Sequence, residues 1–141
     1  LVGEIGAFNK YKNVYTDFSL NVVNSYTVAF LHSIGAKRIT LSYELNFEQI
    51  KDIIDAYHKR YDKHPNLELI VSANEEVMVC KFNLAKYYNN KNIRLRDRFS
   101  NIYNLRFKDG LMYIYNYKRR EDFDLKYYEI GINSLRYNFD N

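Results

Sequence analysis

The chain has 141 residues and a formal net charge of +4, from 21 basic and 17 acidic side chains, with three histidines counted as neutral. Its single cysteine excludes an internal disulfide and any zinc or iron–sulfur site built from cysteines. No apolar run approaches the ~20 residues of a membrane-spanning helix, and residues 1–8 lack the basic region of a signal peptide. We therefore expect one domain with a sizeable core, cut from a longer cytoplasmic protein and without a membrane segment.

The first half of the chain alternates strand patterns with helix patterns. Strand patterns cover residues 1–8, 14–20, 38–41 and 67–71. Between the second and third of these, Asn24 or Ser25 can cap a helix that Gly35 ends, since glycine readily adopts the left-handed conformation. The order strand, polar corner, helix, glycine and strand indicates βα units.

A long amphipathic helix is predicted to begin after Asn46, with Gln49 three residues on in capping-box register. Its apolar stripe consists of Phe47, Ile50, Ile53, Ile54 and Tyr57. Basic side chains cluster at residues 58–63, where they complement the negative end of the helix dipole. Pro65 marks the exit from this helix into the next strand.

The second half of the chain has a different pattern. Residues 77–80 form an apolar run in which Cys80 is interpreted as a buried small hydrophobe, and the polar residues 86–92 predict a loop. Three strand patterns follow, at residues 93–98, 102–108 and 111–117. The Asp109-Gly110 pair between the last two predicts a tight hairpin, so these strands are expected to form an antiparallel meander.

Several short motifs carry a resemblance to a known family. Residues 17–25 read D-F-S-L-N-V-V-N-S, and residues 35–46 read G-A-K-R-I-T-L-S-Y-E-L-N. They match the patterns D-x-S-L-N-x-x-N-S and G-x-x-R-x-T-L-S-x-E-L-N. Further matches, in the same order, lie at residues 2–6, 68–71, 78–82, 95–98, 114–116 and 131–136. Together the motifs resemble the collagenase-like peptidase family, the thirty-second group of peptidases of unknown mechanism.

The resemblance implies a βα-barrel fold and two functional descriptions. Some members of the family are described as peptidases acting on collagen-like substrates. Others take part in hydroxylating RNA bases, or ubiquinone precursors, without molecular oxygen. Members that have the family cysteines can hold an iron–sulfur cluster, but this chain has Asn83 and Leu111 where two of them are expected. We therefore expect no metal and no cofactor in this chain.

The predicted fold class is α/β, a partial (half) βα-barrel with an inserted antiparallel β-meander, in one domain overall. The expected segments are 1–76 for the βα units, 77–117 for the connecting segment and meander, and 118–141 for the return to the barrel. In the last segment, residues 123–130 predict a helix stopped by Gly131, and residues 134–139 predict a strand. A half barrel leaves strand edges unpaired, so we expect the upstream half of the parent protein, or a homo-oligomer of the fragment, to cover them.

Polar residues at the predicted strand ends form the first candidate site. In a βα-barrel the carboxyl ends of the strands meet at one rim, where ligands bind. The predicted ligand-binding residues are Asn21, Asn24, Ser42, Glu44 and Arg136, with Asn74 at the same rim. One carboxylate, one arginine and several amides suit a small polar donor molecule. The alternative is helix capping and strand-corner hydrogen bonding, above all for Asn24.

Basic and aromatic residues of the meander form the second candidate site. Arg94, Arg96 and Arg98 alternate along one predicted strand and so share a face, and Asp97 is expected to pair with one of them. Arg106 and Lys108 lie on the next strand, on this face or on the opposite one. The predicted RNA-binding residues are Arg94, Arg96, Arg98, Arg106, Lys108 and Tyr115, with Tyr103, Tyr113 and Tyr117 interleaved. Cations suit phosphates and aromatic rings suit stacked bases. The alternative is a solvated basic face over packed tyrosines.

The sequence favours the hypothesis that the protein is a component of base hydroxylation in transfer or ribosomal RNA. On this hypothesis the rim binds a small polar donor and the meander binds RNA. The alternatives are a peptidase in the sense of the family's name and a degenerate, non-catalytic member. A peptidase needs an activated nucleophile or a metal-bound water. His32, His58 and His64 follow no metal-binding spacing and are interpreted as structural, so no catalytic residue is assigned.

Overall fold

Two separate hydrophobic cores divide the chain into two units in the computed structural model, which describes residues 1–88 and 92–139. The first unit comprises Leu1–Val71 and Phe123–Tyr137, and the second comprises Ser72–Asp122 with Asn138 and Phe139. The fold is mixed α/β, with parallel strands in the first unit and an antiparallel sheet in the second. No helix within the described ranges has the length and apolar character that crossing a membrane requires.

Helices alternate with strands in the first unit, and strands predominate in the second. The helices are α1 (Ser25–Ser33), α2 (Phe47–Tyr61), α3 (Ala85–Tyr88) and α4 (Lys126–Glu129). The strands are β1 (Val14–Tyr15), β2 (Ala36–Thr40), β3 (Leu67–Ala73), β4 (Glu76–Cys80), β5 (Arg94–Arg96), β6 (Ile102–Lys108), β7 (Leu111–Asn116), β8 (Arg120–Glu121) and β9 (Ser134–Tyr137).

The first unit is built around parallel strands, with β1 beside β2 and β2 beside β3. Strand β9 also pairs with β3. Every residue of β3 is buried, as expected for a strand that is covered on both faces. Its last two residues, Ser72 and Ala73, belong to the second unit and pair antiparallel with β8. Because β1 and β2 run in the same direction, the loops that follow them leave the sheet at the same edge.

Local hydrogen bonds explain where the helices of the first unit begin and end. Asn24 Oδ1 accepts a hydrogen bond from Thr27 N at 2.8 Å and caps α1. Gln49 N donates to Asn46 Oδ1, and Asn46 N donates to Gln49 Oε1, both at 2.9 Å. Gly35 follows α1 with a left-handed φ of 110°. The predicted cap, capping box and glycine stop are therefore confirmed.

The apolar faces of these helices and strands form the first core. Its most deeply buried side chains include Val22, Val28, Leu31, Ile39, Leu41 and Leu67. The buried members of the predicted α2 stripe are Ile50, Ile53, Ile54 and Tyr57. Phe47, at the start of the same stripe, is half-buried and packs against this core.

The strand predicted over residues 14–20 is too long. Strand β1 ends at Tyr15, and a 3₁₀ helix follows at Phe18–Leu20. The reason is local, because Asp17 Oδ1 accepts a hydrogen bond from Phe18 N and starts the helical turn. Asn21 ends this turn in the left-handed conformation, with a φ of 45°.

The two ends of the first unit also differ from prediction. Residues 1–8 are not a strand, because only Val2 forms an isolated bridge and a 3₁₀ helix covers Ile5–Asn9. The helix predicted over residues 123–130 is reduced to α4, which Gly131 follows with a left-handed φ of 103°. Strand β9 is confirmed, although it ends two residues before the predicted position.

The second unit contains an antiparallel sheet in the order β4-β7-β6-β5. Strands β6 and β7 are joined at Asp109 and Gly110, which have positive φ values of 53° and 78°. Two successive positive φ values define the hairpin turn that matches the twist of the strands, so the predicted hairpin is confirmed. The core of this unit is small, with Leu105, Met112 and Ile114 as its buried members.

Two predictions for the second unit are wrong. Cys80 is half-buried and not fully buried, because its strand β4 lies at an edge of the sheet. Its sulfur lies 3.6 Å from the Phe82 carbonyl oxygen. The loop predicted over residues 86–92 begins as the helix α3, which starts where Asn83 Oδ1 accepts a hydrogen bond from Ala85 N. The rest of that prediction falls in part on residues 89–91, which lie outside the described residues.

Candidate functional site

The loops after β1 and β2 carry four of the predicted ligand-binding residues. Ser42 N donates to the Val22 carbonyl oxygen at 3.1 Å, and this bond joins the two loops. Asn24 caps α1, and Ser42 Oγ accepts a hydrogen bond from Glu44 N at 3.3 Å. Asn21 and Glu44 are exposed. Asn24 and Ser42 thus make the capping and corner hydrogen bonds of the alternative interpretation, while the other two residues face solvent.

Arg136, the fifth predicted residue, belongs to a different group of side chains. Its Nη2 lies 2.6 Å from Asp17 Oδ1, and its Nε lies 3.4 Å from Glu68 Oε1. Neither carboxylate was among the residues expected at the rim. Asn74, the additional rim candidate, directly follows β3 and lies in the second unit.

Glu68 is the centre of this group, and its side chain is only 4% exposed. Thr40 Oγ1 donates to Glu68 Oε1 at 2.9 Å. Ser134 Oγ lies 3.4 Å from Glu68 Oε2, and Arg38 Nε lies 3.3 Å from the same oxygen. The Nε atoms of Arg38 and Arg136 are buried without an aligned hydrogen bond, so charge attraction holds them beside the carboxylate.

We call this group the Glu68 cluster, and its charged members are Asp17, Arg38, Glu68 and Arg136. Two carboxylates face two guanidinium groups, so the formal charges balance. The members come from β2, β3, β9 and the segment after β1, and the cluster therefore ties these strands together. Its opposite charges pair with one another, which indicates a structural role in the parallel sheet.

The register of the antiparallel sheet decides where the predicted RNA-binding cations lie. Arg94 faces Asn104 on the neighbouring strand, and Arg96 faces Ile102. Arg106 faces Tyr113, Asn104 faces Tyr115 and Lys108 faces Leu111. Since directly paired residues share a face, these side chains all lie on the same side of the sheet. The sequence pattern allowed Arg106 and Lys108 on either face, and the register places them on the same face as Arg94.

We call this side the basic face, and define it by Arg94, Arg96, Arg106, Lys108, Tyr113, Tyr115 and Tyr117. Its four cations are exposed, whereas Tyr113 and Tyr115 are half-buried. Tyr103 is not a member, because it pairs with Leu95 and packs against the core on the opposite face.

Aromatic contacts hold two of the arginines on the basic face. The Arg94 guanidinium lies 4.9 Å from the centroid of the Tyr117 ring, and that of Arg106 lies 5.2 Å from the Tyr115 ring. The rings of Tyr113 and Tyr115 are 6.4 Å apart and nearly parallel, at 21°. Cations and rings are therefore interleaved in space as well as in sequence.

One hollow of the second unit has a volume of about 920 Å³ and is lined in part by residues 116–121. Two of its lining residues, Glu75 and Arg120, form an ion pair. Arg120 Nη1 lies 2.8 Å from Glu75 Oε1, and its Nη2 lies 3.0 Å from Asp122 Oδ2. A smaller hollow of about 420 Å³ is lined by Arg94 and Arg106 of the basic face, together with Asn104.

Arg98 does not continue the row of arginines along β5. The strand ends at Arg96, and Arg98 lies in the turn that leads to β6. Its guanidinium packs 4.6 Å from the centroid of the Phe99 ring. The prediction that Arg98 shares a strand face with Arg94 is therefore wrong.

Asp97 explains why the strand stops there. Its Oδ1 accepts hydrogen bonds from Phe99 N at 2.8 Å and from Asn101 N at 2.9 Å. Its Oδ2 accepts from Asn101 Nδ2 at 2.8 Å and from the Tyr103 hydroxyl at 3.2 Å. Asp97 therefore organises the turn between β5 and β6, and the expectation that it pairs with an arginine is wrong.

We expect the Asp97 turn to loosen in acid. The hydrogen bond from the Asn101 side chain, with those from two backbone amides and Tyr103, holds the pKa of Asp97 below its usual range. A lowered pKa in the folded state means that the stabilisation is complete above the unfolded value of about 3.9. It is lost as the pH falls through the folded value. An NMR titration of the Asp97 carboxyl carbon and the Asn101 amide measures this, and a carboxyl that titrates at or above its usual value would contradict it.

The histidines occupy structural positions. His32 Nδ1 donates to the Ala36 carbonyl oxygen at 2.9 Å, and its Nε2 accepts from Asn66 N at 3.3 Å. The rings of His58 and His64 stack at 4.5 Å. Across residues 1–88 and 92–139, no group of three or more His, Cys, Asp or Glu side chains is placed to hold a metal ion.

One comparison with known proteins gives a match. The sequence model of Peptidase family U32 matches residues 12–108. This span runs from just before β1 to the end of β6, and so includes the loops after β1 and β2 and the cations of the basic face. No curated protein and no solved structure matches the chain. Because the family model covers well over half of its residues, the chain belongs to peptidase family U32.

Proposed function

We propose that this chain is a component of RNA base hydroxylation, in which the basic face binds single-stranded RNA. The observation that carries the proposal is the register of β5, β6 and β7, which collects four cations and three tyrosines on one face. Phosphates are attracted to the cations, and unpaired bases stack on exposed aromatic surface. The proposed substrate is transfer or ribosomal RNA.

The electrostatic balance of the basic face supports this proposal. In the described part of the chain, Arg94, Arg96 and Lys108 form no ion pair with a carboxylate. Glu76 is a carboxylate on this face, where its Oε2 accepts a hydrogen bond from the Tyr115 hydroxyl at 3.4 Å. The face thus keeps an excess of positive charge, which a polyanion would neutralise.

We also propose that the loops after β1 and β2 bind a small polar donor. The hydrogen bond between Ser42 and Val22 keeps the two loops together. The exposed side chains of Asn21 and Glu44 supply an amide and a carboxylate next to this junction. On this proposal the parallel strands of the first unit are part of a βα-barrel, and the loops belong to its rim.

Peptidase activity has no comparable support. A serine or cysteine nucleophile is commonly activated by a histidine base within hydrogen-bond reach. Among the described residues, the His32 ring bonds to two backbone groups, while His58 and His64 stack on each other. Cys80 lies beside a carbonyl oxygen. No observation therefore favours a peptidase over an RNA-binding component.

Removing three cations from the basic face tests the proposal. We expect the triple substitution Arg94→Gln, Arg96→Gln and Arg106→Gln to weaken binding of single-stranded RNA strongly. Each lost phosphate contact should also lower the slope of log affinity against log salt by about 0.7. Titrations of transfer RNA and of a short single strand at two salt concentrations measure both effects.

The matched control removes three exposed lysines of the first unit, by the substitutions Lys37→Gln, Lys59→Gln and Lys63→Gln. It changes the net charge by the same amount and should leave RNA affinity almost unchanged. Equal losses in the two triple variants would show that only net charge matters, and would contradict the proposal. Negligible affinity of the folded wild-type protein at low salt would contradict it as well.

A further inference from the structure

We infer that the hollow between Arg94 and Arg106 is a subsite for one backbone phosphate of single-stranded RNA, an inference that rests on the RNA binding proposed above. The hollow has a volume of about 420 Å³ and is lined by residues 92–94 and 104–106. Asn104 stands directly opposite Arg94, and Arg106 is two residues further along the same face of β6. Two guanidinium groups and one carboxamide therefore border the same hollow.

The spacing of these three residues suits a single phosphate group. Facing residues of paired strands have Cβ atoms about 5 Å apart, and residues two apart on a strand are about 7 Å apart. Long arginine side chains on such a scaffold can reach the same anion. The guanidinium fork donates two parallel hydrogen bonds to phosphate oxygens, and the amide of Asn104 can donate a further one.

Aromatic contacts hold both arginines beside the hollow. Arg94 packs over the Tyr117 ring and Arg106 over the Tyr115 ring, at 4.9 and 5.2 Å. Cation–π contacts of this kind restrict the guanidinium groups before a ligand arrives, which reduces the entropy lost on binding. The subsite is therefore partly organised in the free protein.

Two tyrosine rings beside the hollow make the subsite selective for single strands. Tyr115 and Tyr113 stand next to the hollow on β7, so the base attached to a bound phosphate can reach them. In a single strand that base is free to stack on a ring, whereas in an A-form duplex it is already paired and stacked. We therefore expect a single strand to gain contacts at this subsite that a duplex does not.

Glu76 is a negative charge on the basic face that could oppose a phosphate, and the register separates its backbone from that of Asn104. Glu76, Tyr115, Asn104 and Arg94 form one row across the four strands of the sheet. Glu76 and Asn104 are thus two strands apart, which is about 10 Å at the backbone. The Glu76 carboxylate accepts a hydrogen bond from the Tyr115 hydroxyl at 3.4 Å, and salt reduces its repulsion of a phosphate in the hollow.

Substitutions inside and outside the hollow test the inference. The affinity for a labelled short single-stranded RNA is measured by fluorescence anisotropy. The substitution Asn104→Asp should weaken binding by about tenfold, because it places a carboxylate against the phosphate. Asn104→Ala should weaken binding less. Arg94→Gln and Arg106→Gln should each lower the affinity more than Arg96→Gln and Lys108→Gln, which remove cations from the same face outside the hollow.

The outcomes separate this inference from the proposed function. If all four single cation variants lose the same affinity, RNA binds the face diffusely, and the subsite is wrong while the proposed function stands. If the wild-type protein binds no RNA, both fail. Equal affinity for the same strand annealed to its complement would overturn the selectivity. A further outcome is that inorganic phosphate binds at Asn104 while the Asn104 variants bind RNA as the wild type does. The hollow would then be a site for free phosphate, and the inference would be wrong. Amide spectra confirm that each variant is folded.

Discussion

Replacing Glu68 with alanine is expected to lower the free energy of unfolding by about 3–5 kcal/mol. The substitution leaves the Arg38 and Arg136 guanidinium groups without the buried carboxylate that they share. It also leaves the Thr40 hydroxyl without one of its acceptors. Urea denaturation of the wild-type and Glu68→Ala proteins measures the change. A double-mutant cycle with Arg136→Ala should show strong coupling between the two positions. Glu68→Ala already removes the carboxylate that compensates the buried charge of Arg136.

The exposed ion pair between Lys51 and Asp55 of α2 provides a control, because the distance between its charged atoms equals that between Arg38 and Glu68. Lys51 Nζ lies 3.3 Å from Asp55 Oδ2, as Arg38 Nε does from Glu68 Oε2, but both α2 side chains are exposed. Asp55→Ala should change stability by no more than about 0.5 kcal/mol, since water and salt screen a surface pair. If Glu68→Ala costs no more than Asp55→Ala, burial does not strengthen the Glu68 cluster, and its assigned role is wrong.

The features that the sequence predicts well depend on residues close together in the chain. The Asn46–Gln49 capping box needs two side chains three positions apart, and both of its hydrogen bonds form. The Asp109-Gly110 hairpin needs two adjacent residues that tolerate positive φ. In the strand predicted over residues 14–20, local chemistry overrode the β-rich composition, because Asp17 started a helical turn.

The Glu68 cluster could not be located from the sequence, although one signal was present. A glutamate inside the apolar run of residues 67–71 requires a partner when that strand is buried on both faces. Its partner Arg38 is 30 positions earlier and Arg136 is 68 positions later. Such pairings follow from strand order, which the chain pattern leaves open. The expectation that Arg136 lies with the rim residues was therefore plausible on local grounds, yet the structure pairs it elsewhere.

The basic face was only half predictable for a related reason. Alternation along a strand places Arg94 and Arg96 on one side, whatever the rest of the sheet does. The side taken by Arg106 depends on how β6 is aligned with β5, and one residue of slip would reverse it. The turn held by Asp97 sets that alignment. The sequence pattern indicated that Asp97 pairs with an arginine, and it gave no sign that Asp97 fixes the register.

The small core of the second unit should make the basic face sensitive to one buried isoleucine. We expect Ile114→Ala to destabilise the antiparallel sheet by about 2–5 kcal/mol, because it removes a buried side chain and leaves a cavity. Ile114 is 8% exposed and faces Leu105, another of the few buried side chains of this core. Amide hydrogen exchange in β6 and β7 measures the loss of protection, and RNA affinity should fall as the sheet opens.

Ile102→Ala is the matched control, since it makes the same chemical change on the opposite face of the sheet. Ile102 is 40% exposed and faces Arg96, so its truncation leaves no closed cavity and should have little effect on exchange in β7. Loss of RNA affinity in Ile114→Ala with unchanged exchange would mean that Ile114 acts on RNA by some route other than supporting the sheet. Equal exchange in the two variants would show that the face does not depend on this core, because burial is the main difference between the two isoleucines.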